Sequence, residues 1–178
     1  MEKIKKALSF LDTNSIHYIL AGSVAIAKEY EGFIKERRPD GIGDLDIILD
    51  VNNFAKLLKL DGIESVDKFD MYDAMSKIEF FNFFYKDTKT EKELEGSYFL
   101  TKIKDIDLKI DIFLNSNAFI RLKEEGKDSR PIKEIIQKKI EISKNYIDHI
   151  LYEGDTKLAK KIIKHLDDIF YISSIEKT

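Results

Sequence analysis

The chain has 178 residues, of which 43% are hydrophobic and 35% are charged, and its formal net charge of −3 at pH 7 argues against bulk polyanion binding. This length suits one domain, or one domain with a helical appendage, and the absence of cysteine excludes disulfides and thiolate metal sites. No window approaches the roughly 20 apolar residues of a membrane span, and residues 1–16 lack the apolar core of a signal peptide, so we expect a soluble cytoplasmic protein.

The first 43 residues predict two helices, a strand and a loop. Residues 2–14 have the spacing of an amphipathic helix, with an apolar face that carries Ile4, Leu8 and Leu11. The segment HYILAG (17–22) has the pattern of a short buried strand, and Ser23 can then cap a helix that continues to about Tyr30. Residues 31–43 contain a proline and three glycines, which indicates a loop.

The middle of the chain has the pattern of a sheet. The segment DLDIILDV (44–51) predicts a strand that begins polar and becomes buried, and residues 52–60 predict a short helix. Beyond it the pattern is β-rich, with apolar segments that are bounded by polar turns at 63–69, 76–85, 97–103 and 106–114.

After Pro131 the pattern becomes helical. Residues 131–154 and 155–175 predict two long helices separated by Gly154, and Asp155 or Thr156 can cap the second. In the second helix one face carries Leu158, Ile162, Leu166 and Ile169, which we expect to pack on the core. Another face carries a row of lysines, which is either a solvated stripe or a positive wall for a triphosphate or an RNA backbone: Lys157, Lys160, Lys161 and Lys164. The order of elements indicates an α+β or α/β fold with a C-terminal helical part.

Two of the predicted strands carry acidic residues on one face. Side chains alternate along a strand, so Asp44 and Asp46 point the same way, and Asp107, Lys109 and Asp111 share one face of the segment 106–114. An acid on a strand built for burial is costly without a partner, and Mg²⁺ is an efficient one. Three carboxylates from adjacent strands could hold two such ions around a transferring phosphoryl group. The alternative is that these aspartates are solvated residues near strand ends.

A Gly-Ser pair lies upstream, between the predicted strand and helix. Gly22 lets the backbone approach a ligand closely, and the Ser23 hydroxyl with the helix amides forms a seat for phosphate. The alternative is a tight turn with an ordinary serine cap. The histidines have no metal-ligand spacing, and we expect each to be structural: His17, His149 and His165.

The motifs LAGS (20–23), GDLDIIL (43–49) and KIDIF (109–113), in this order, resemble the polymerase-β-type nucleotidyltransferase superfamily over about residues 15–115. The resemblance implies that Gly22 and Ser23 hold a nucleoside triphosphate and that Asp44 and Asp46 bind two Mg²⁺ ions. Asp111 is then the third carboxylate, which helps to deprotonate the attacking hydroxyl and completes the metal site.

Two features complicate this match. Asp105 and Asp107 compete for the third position; we prefer Asp111 because Ile110 and Ile112 bury it deepest and because lysine-apolar-Asp-apolar-Phe is the usual pattern. Twenty residues separate Ser23 from Asp44, which is longer than the usual spacing of the superfamily, and the insertion carries Lys35, Arg37 and Arg38.

The C-terminal helices resemble the AbiEii-like bacterial branch of this superfamily, in which arginines also precede the Asp-x-Asp motif. That branch has a lysine in the first helix, matched by Lys138 or Lys139, and a Lys-Asp-x-x-Asp element in the second, whose ends match Lys164 and Asp168. His165 stands where the branch often has aspartate. The resemblance therefore implies further nucleotide-binding residues: Arg38, Lys139, Lys164 and Asp168.

The resemblance implies an α+β fold, with a mixed-sheet nucleotidyltransferase core at 1–120 and a C-terminal helical region, 121–178, packed on it. The expected reaction moves a nucleoside monophosphate from a Mg²⁺-bound triphosphate to an acceptor hydroxyl of tRNA, protein or a small molecule such as an aminoglycoside. Many members of the branch are toxins of toxin–antitoxin or phage-defence systems, so a cognate antitoxin is an expected partner. The alternatives are a catalytically silent nucleotide-binding module or antitoxin of the same fold, and an unrelated α+β protein.

Overall fold

A computed structural model describes residues 1–64, 66–69, 77–79, 94–154 and 156–176, and for 67–69 and 77–79 it describes the backbone alone. The chain divides into two compact units, Met1–Arg130 and Pro131–Thr178. We expected the boundary at residue 120, whereas the first unit continues to Arg130 because it includes a helix that packs on its sheet.

The described part of the first unit contains helices and a mixed sheet. Its helices are α1 (Glu2–Thr13), α2 (Gly22–Glu29), α3 (Phe33–Arg37), α4 (Val51–Leu57) and α5 (Ser116–Glu124). Its strands are β1 (Ile19–Leu20), β2 (Asp44–Leu49), β3 (Asp67–Phe69), β4 (Lys77–Glu79), β5 (Tyr98–Lys102) and β6 (Lys109–Leu114).

The strands form one sheet in the order β1-β2-β6-β5-β3-β4. Within the described ranges β2 and β6 are the parallel pair, and the other neighbours run antiparallel. A parallel pair needs a long crossover, and here the chain between β2 and β6 supplies α4 and three further strands. The predicted α+β class, with a mixed sheet and a C-terminal helical region, is confirmed.

The core of the first unit lies where the helices cover the sheet. Helix α1 buries Ile4 and Leu11 from its predicted apolar face, and β2 becomes wholly buried from Ile47 onward. Phe54 of α4 packs against Phe99 of β5, with ring centroids 4.5 Å apart. Burial of this apolar surface supplies most of the driving force for folding.

Three local features differ from the sequence-based expectations. Ser23 does not cap α2, since the helix already begins at Gly22 and its N-cap residue is Ala21. The predicted loop 31–43 contains the short helix α3, because Phe33 is fully buried and fixes the chain there. Helix α5 was not expected, although Asn115 caps it by accepting a hydrogen bond from the amide of Ala118 at 2.8 Å. Most of the predicted strand 76–85 lies outside the described residues.

The second unit is a helical hairpin of α6 (Ile132–Glu153) and α7 (Ala159–Ile175), with a 3₁₀ turn at Thr156–Leu158. Gly154 ends α6 in the left-handed conformation (φ 72°), as its position predicts. We expected Asp155 or Thr156 to cap the second helix. Thr156 does not, because it begins the 3₁₀ turn and Leu158 occupies the N-cap position. Asp155 lies outside the described residues.

The two helices of the hairpin run antiparallel. The contacts that join them include Lys139 with Asp168, Ser143 with His165, and Tyr146 with Lys161. Residue numbers rise along α6 as they fall along α7, which fixes the direction. Of the four apolar residues expected to be buried, Leu158 is buried and Leu166 is 42% exposed, so the buried face of α7 is rotated away from Leu166. No helix within the described ranges has both the length and the apolar character to cross a membrane.

Candidate active site

The three predicted aspartates lie on one face of the β2–β6 pair. The parallel register places Asp46 beside Asp111 and Asp44 beside Lys109. Neighbouring residues in register point to the same side of a sheet, and adjacent strands are about 4.8 Å apart. The fold therefore brings Asp44, Asp46 and Asp111 together, although Asp111 lies on a strand that comes much later in the sequence.

This face is only half-buried, whereas the opposite face belongs to the core. The three aspartates alternate with apolar neighbours that are at most 1% exposed: Leu45, Ile47, Ile110 and Ile112. The buried neighbours hold the strands rigidly in place, and the aspartates remain partly accessible to solvent. Rigid strands that present partly exposed carboxylates are a suitable scaffold for a binding site.

Gly22 lies directly against the Asp46 carboxyl group. Its φ of +53° is in the left-handed region, and a Cβ added there would lie 1.9 Å from Oδ2 of Asp46. The amide of Ala21 also donates a hydrogen bond of 2.9 Å to the carbonyl oxygen of Asp46. Both the backbone conformation and the available space therefore require glycine at the start of α2.

Ser23 and Arg38 form a buried polar contact next to this glycine. The Nη2 of Arg38 donates to Oγ of Ser23 at 3.3 Å, and its Nη1 donates to the carbonyl oxygen of Arg37 at 2.7 Å. The guanidinium carbon also lies 5.1 Å from the ring centroid of Phe33. The role of Phe33 was not predicted, yet it helps to hold a positive charge beside the first turn of α2.

The structure separates the competitors for the third carboxylate. Asp105 lies outside β6 with a φ of +64°, and Asp107 also precedes the strand. Lys3 donates a hydrogen bond of 2.7 Å to Asp107, and this bond and the lysine charge lower the pKa of the Asp107 carboxyl group. Asp111 is the candidate that lies in register with Asp46.

Within the described residues, no metal cluster marks the aspartates. In those ranges no group of three or more His, Cys, Asp or Glu side chains is arranged so that it could hold a metal ion. An open cavity of about 620 Å³ in the first unit is lined mainly by residues of α1, β1 and α2 and includes none of the three aspartates. The candidate site is therefore defined by strand register and by the close approach of Gly22.

The predicted residues of the second unit form a separate buried cluster. The Nζ of Lys139 lies 3.0 Å from Oδ2 of Asp168, and the two residues are 9% and 0% exposed. This contact favours Lys139 over Lys138 as the lysine of the first helix, because Lys138 pairs with Glu141 near the surface. Lys164 is exposed one turn before Asp168.

His165 completes this cluster in a way that the sequence analysis did not predict. Its Nδ1 lies 3.4 Å from Oγ of Ser143, and its ring stacks on Tyr146 with centroids 6.1 Å apart. Burial, together with the charge of Lys139, lowers the pKa of His165 to about 4. The spacing of Lys139, Ser143 and Tyr146, four and three residues apart, was a signal that they share one helix face.

Comparison of the chain with protein-family models, with curated proteins and with solved structures found no match. These comparisons therefore assign the chain to no family.

Proposed function

We propose that this chain is a Mg²⁺-dependent nucleotidyltransferase, acting in the cytoplasm, whose active site is the face that carries Asp44, Asp46 and Asp111. The observation that carries this proposal is the register of Asp46 with Asp111 on adjacent parallel strands, with Gly22 against the Asp46 carboxyl group. Like charges placed side by side on a sheet are destabilising, which supports a role that needs them together.

The chemistry of these carboxylates suits magnesium, although among the described residues no three acidic side chains are already grouped around a metal position. Mg²⁺ prefers oxygen ligands and is bound in phosphate-handling sites through one or two carboxylates, with substrate phosphates and water completing its shell. Asp44 and Asp46 would bind both ions, and Asp111 would supply the third carboxylate. Bound Mg²⁺ neutralises charge on the transferring phosphoryl group and makes the acceptor hydroxyl more acidic.

The residues beside Asp46 fit the triphosphate. Gly22 lets the Asp46 carboxyl group lie against the start of α2, where the backbone amides favour a negative charge. Arg38, held against Ser23 and Phe33, adds a fixed positive charge near the same point. The resemblance supports tRNA or a protein as the acceptor and a cognate antitoxin as a partner.

The decisive experiment measures label transfer from each of the four α-³²P-labelled nucleoside triphosphates to total tRNA, total protein and the enzyme itself, with Mg²⁺ or with EDTA. We expect Mg²⁺-dependent transfer from at least one triphosphate. Asp46→Asn and Asp111→Asn should lower the rate by at least about 1000-fold, since several kcal/mol of charge stabilisation is lost.

Asp107→Asn is the matched control. This aspartate precedes the same strand but lies outside the register with Asp46, so its substitution should leave transfer within about twofold of wild type, as expected for a surface change. Equal losses in Asp107→Asn and Asp111→Asn would contradict the assignment of the third carboxylate. Triphosphate binding without transfer in any reaction would favour the catalytically silent module, and unchanged melting temperatures with both Mg²⁺ and triphosphate would reject the site.

A further inference from the structure

The Gly-Ser pair at the start of α2 touches two charged side chains of the protein itself. Gly22 lies against the carboxyl group of Asp46, and Ser23 accepts a hydrogen bond from Arg38. The two contacts are independent, since Asp46 belongs to β2 and Arg38 follows α3. The resemblance to nucleotidyltransferases implies instead that both members of the pair hold the triphosphate.

The space beside Gly22 is filled by Asp46. A Cβ added at Gly22 would lie 1.9 Å from Oδ2, 2.5 Å from Cγ and 3.0 Å from Cβ of Asp46. A phosphate oxygen therefore cannot enter this space while the carboxyl group is there. The backbone amides of the first turn of α2 favour the negative charge of a neighbouring carboxylate. Gly22 thus allows the helix to hold the Asp46 side chain in place.

The Ser23 hydroxyl group is buried and already bound. Ser23 is only 6% exposed, and its Oγ accepts a hydrogen bond of 3.3 Å from Nη2 of Arg38. A hydroxyl group acts through direct contact, so this burial limits what Ser23 can do for a ligand by itself. Arg38 is also buried, at 8% exposed, but its full charge acts over several ångströms and is screened less inside the protein than in water.

We propose that Gly22 and Ser23 are positioning residues and not ligands of the triphosphate. Gly22 fixes the Asp46 carboxyl group for Mg²⁺, and Ser23 fixes the Arg38 guanidinium group, whose charge attracts the triphosphate. This inference rests on the proposed function, because that proposal places both ligands on the aspartate face. Substitutions at the two neighbouring residues should then weaken the binding of different ligands.

Two calorimetric titrations of the full chain separate these roles, one with Mg²⁺ alone and one with each of the four ribonucleoside triphosphates in EDTA. Gly22→Ala should weaken Mg²⁺ binding by about 10–100-fold, the usual loss when a group that orients a metal ligand is changed. It should leave triphosphate binding in EDTA within about twofold of wild type. Gly41→Ala is the matched control and should change neither affinity, because Gly41 also has a positive φ but has open space around an added Cβ.

A double-mutant cycle tests the role of Ser23. Ser23→Ala should weaken triphosphate binding in EDTA by about tenfold, as expected when a hydrogen bond to a charged group is lost. In an Arg38→Met background the same substitution should change binding by less than about twofold, because no guanidinium group remains to be fixed. Lys35→Met removes an exposed charge from α3 and is the control, with an expected change of less than about twofold. Melting followed by circular dichroism checks that each variant is folded at the temperature of the titration.

Each role can be overturned separately. Weaker triphosphate binding in EDTA for a folded Gly22→Ala variant would show that phosphate contacts this position. An equal loss from Ser23→Ala with and without Arg38 would show that the hydroxyl group binds the triphosphate directly, and this measurement does not depend on the stability of Gly22→Ala. Binding of both ligands to the wild type without label transfer would contradict the proposed enzyme activity and not the positioning roles. A wild type that binds neither ligand would overturn both.

Discussion

The two units of this molecule place their acidic side chains in different electrostatic environments. In the first unit, Asp46 lies in register with Asp111 and shares a face with Asp44, so like charges are placed together in a half-buried position. In the second unit, Asp168 is fully buried and forms an ion pair of 3.0 Å with Lys139. The first arrangement places carboxylates side by side, and the second pairs a carboxylate with a lysine inside the fold.

The two arrangements contribute differently to the stability of the fold. A buried carboxylate with its own lysine needs no further partner, and removal of either member leaves an uncompensated charge in a low-dielectric interior. Carboxylates placed side by side repel each other, and they become favourable only when a cation or a positive group lies near them. The same Asp→Asn substitution should therefore have opposite effects on stability in the two units.

The largest effect is expected at Asp168. Asp168→Asn leaves Lys139 buried beside a neutral group, so the free energy of unfolding should fall by about 3–5 kcal/mol. Urea unfolding followed by circular dichroism measures this loss. Asp167→Asn, on the exposed side of the same helix, should change stability by less than about 0.5 kcal/mol.

A double substitution separates the charge from the packing. Lys139→Met with Asp168→Leu removes both charges, and its stability should return close to that of the wild type. If Asp168→Asn cost no more than Asp167→Asn, the buried ion pair would have no special importance and the comparison between the units would fail.

The next effect is expected at Gly22, where the backbone touches the aspartate face. Gly22→Ala forces a left-handed φ on alanine and places Cβ 1.9 Å from the Asp46 carboxylate, so we expect a loss of about 2–4 kcal/mol. Gly41→Ala is the matched control, because Gly41 has a φ of +89° and open space around the added atom. It should lose only about 1–2 kcal/mol.

The two Gly→Ala substitutions should differ in cost because the Cβ added at Gly22 collides with the Asp46 side chain. In an Asp46→Ala background the two nearest atoms of the clash are absent, so the cost of Gly22→Ala should fall toward that of Gly41→Ala. A cost that is independent of Asp46 would mean that Gly22 is required by its conformation alone. Chemical denaturation of the wild type, the two single variants and the double variant completes the cycle.

A pH effect follows from His165. Burial and the charge of Lys139 lower its pKa to about 4 from 6.5, while Asp168 acts in the other direction and Lys164 and Lys161 add to the lowering. The unfolded chain therefore binds a proton at a higher pH than the folded chain. The stability that neutral His165 contributes is complete above pH 6.5 and is lost as the pH falls toward 4.

With allowance for partial solvent exposure, this loss is about 1–3 kcal/mol. Unfolding measured between about pH 7 and pH 4 should show a shallower decline for His165→Gln than for the wild type. Parallel curves for the two proteins would show that His165 titrates normally in the folded state.

Much of the fold of the first unit was predictable from the sequence. The segments 44–51, 97–103 and 106–114 were expected as strands and contain β2, β5 and β6, because apolar runs bounded by turns report local structure directly. Helices α3 and α5 were missed because each is short and its stability comes from burial of one or two aromatic or aliphatic side chains. Such burial depends on the tertiary structure, and one or two buried side chains in so few turns give only a weak periodic pattern.

The site was predictable only in part. Alternation along a strand shows that Asp44 and Asp46 share a face, but it does not show which later strand lies beside them. The pairing of Asp46 with Asp111 joins residues far apart in the chain, and it depends on the whole crossover. The pairing of Lys139 with Asp168 likewise depends on the turn at Gly154. The sequence of either helix alone is compatible with its charged residue facing solvent.

The smallest expected effect, with the opposite sign, is at Asp46. Asp46→Asn removes one of the adjacent negative charges, so at neutral pH the free energy of unfolding should stay constant or rise by up to about 1 kcal/mol. Asp111→Asn should do the same, and the double variant should gain no more than either single one, because the first substitution already removes the repulsion between the pair. In the presence of Mg²⁺ the wild type should become the more stable of the two proteins. A cation that binds only the folded wild type raises its melting temperature and leaves that of Asp46→Asn unchanged. A loss of stability in Asp46→Asn like that of Asp168→Asn would show that both units neutralise their carboxylates internally, and the aspartate face would then need no external cation.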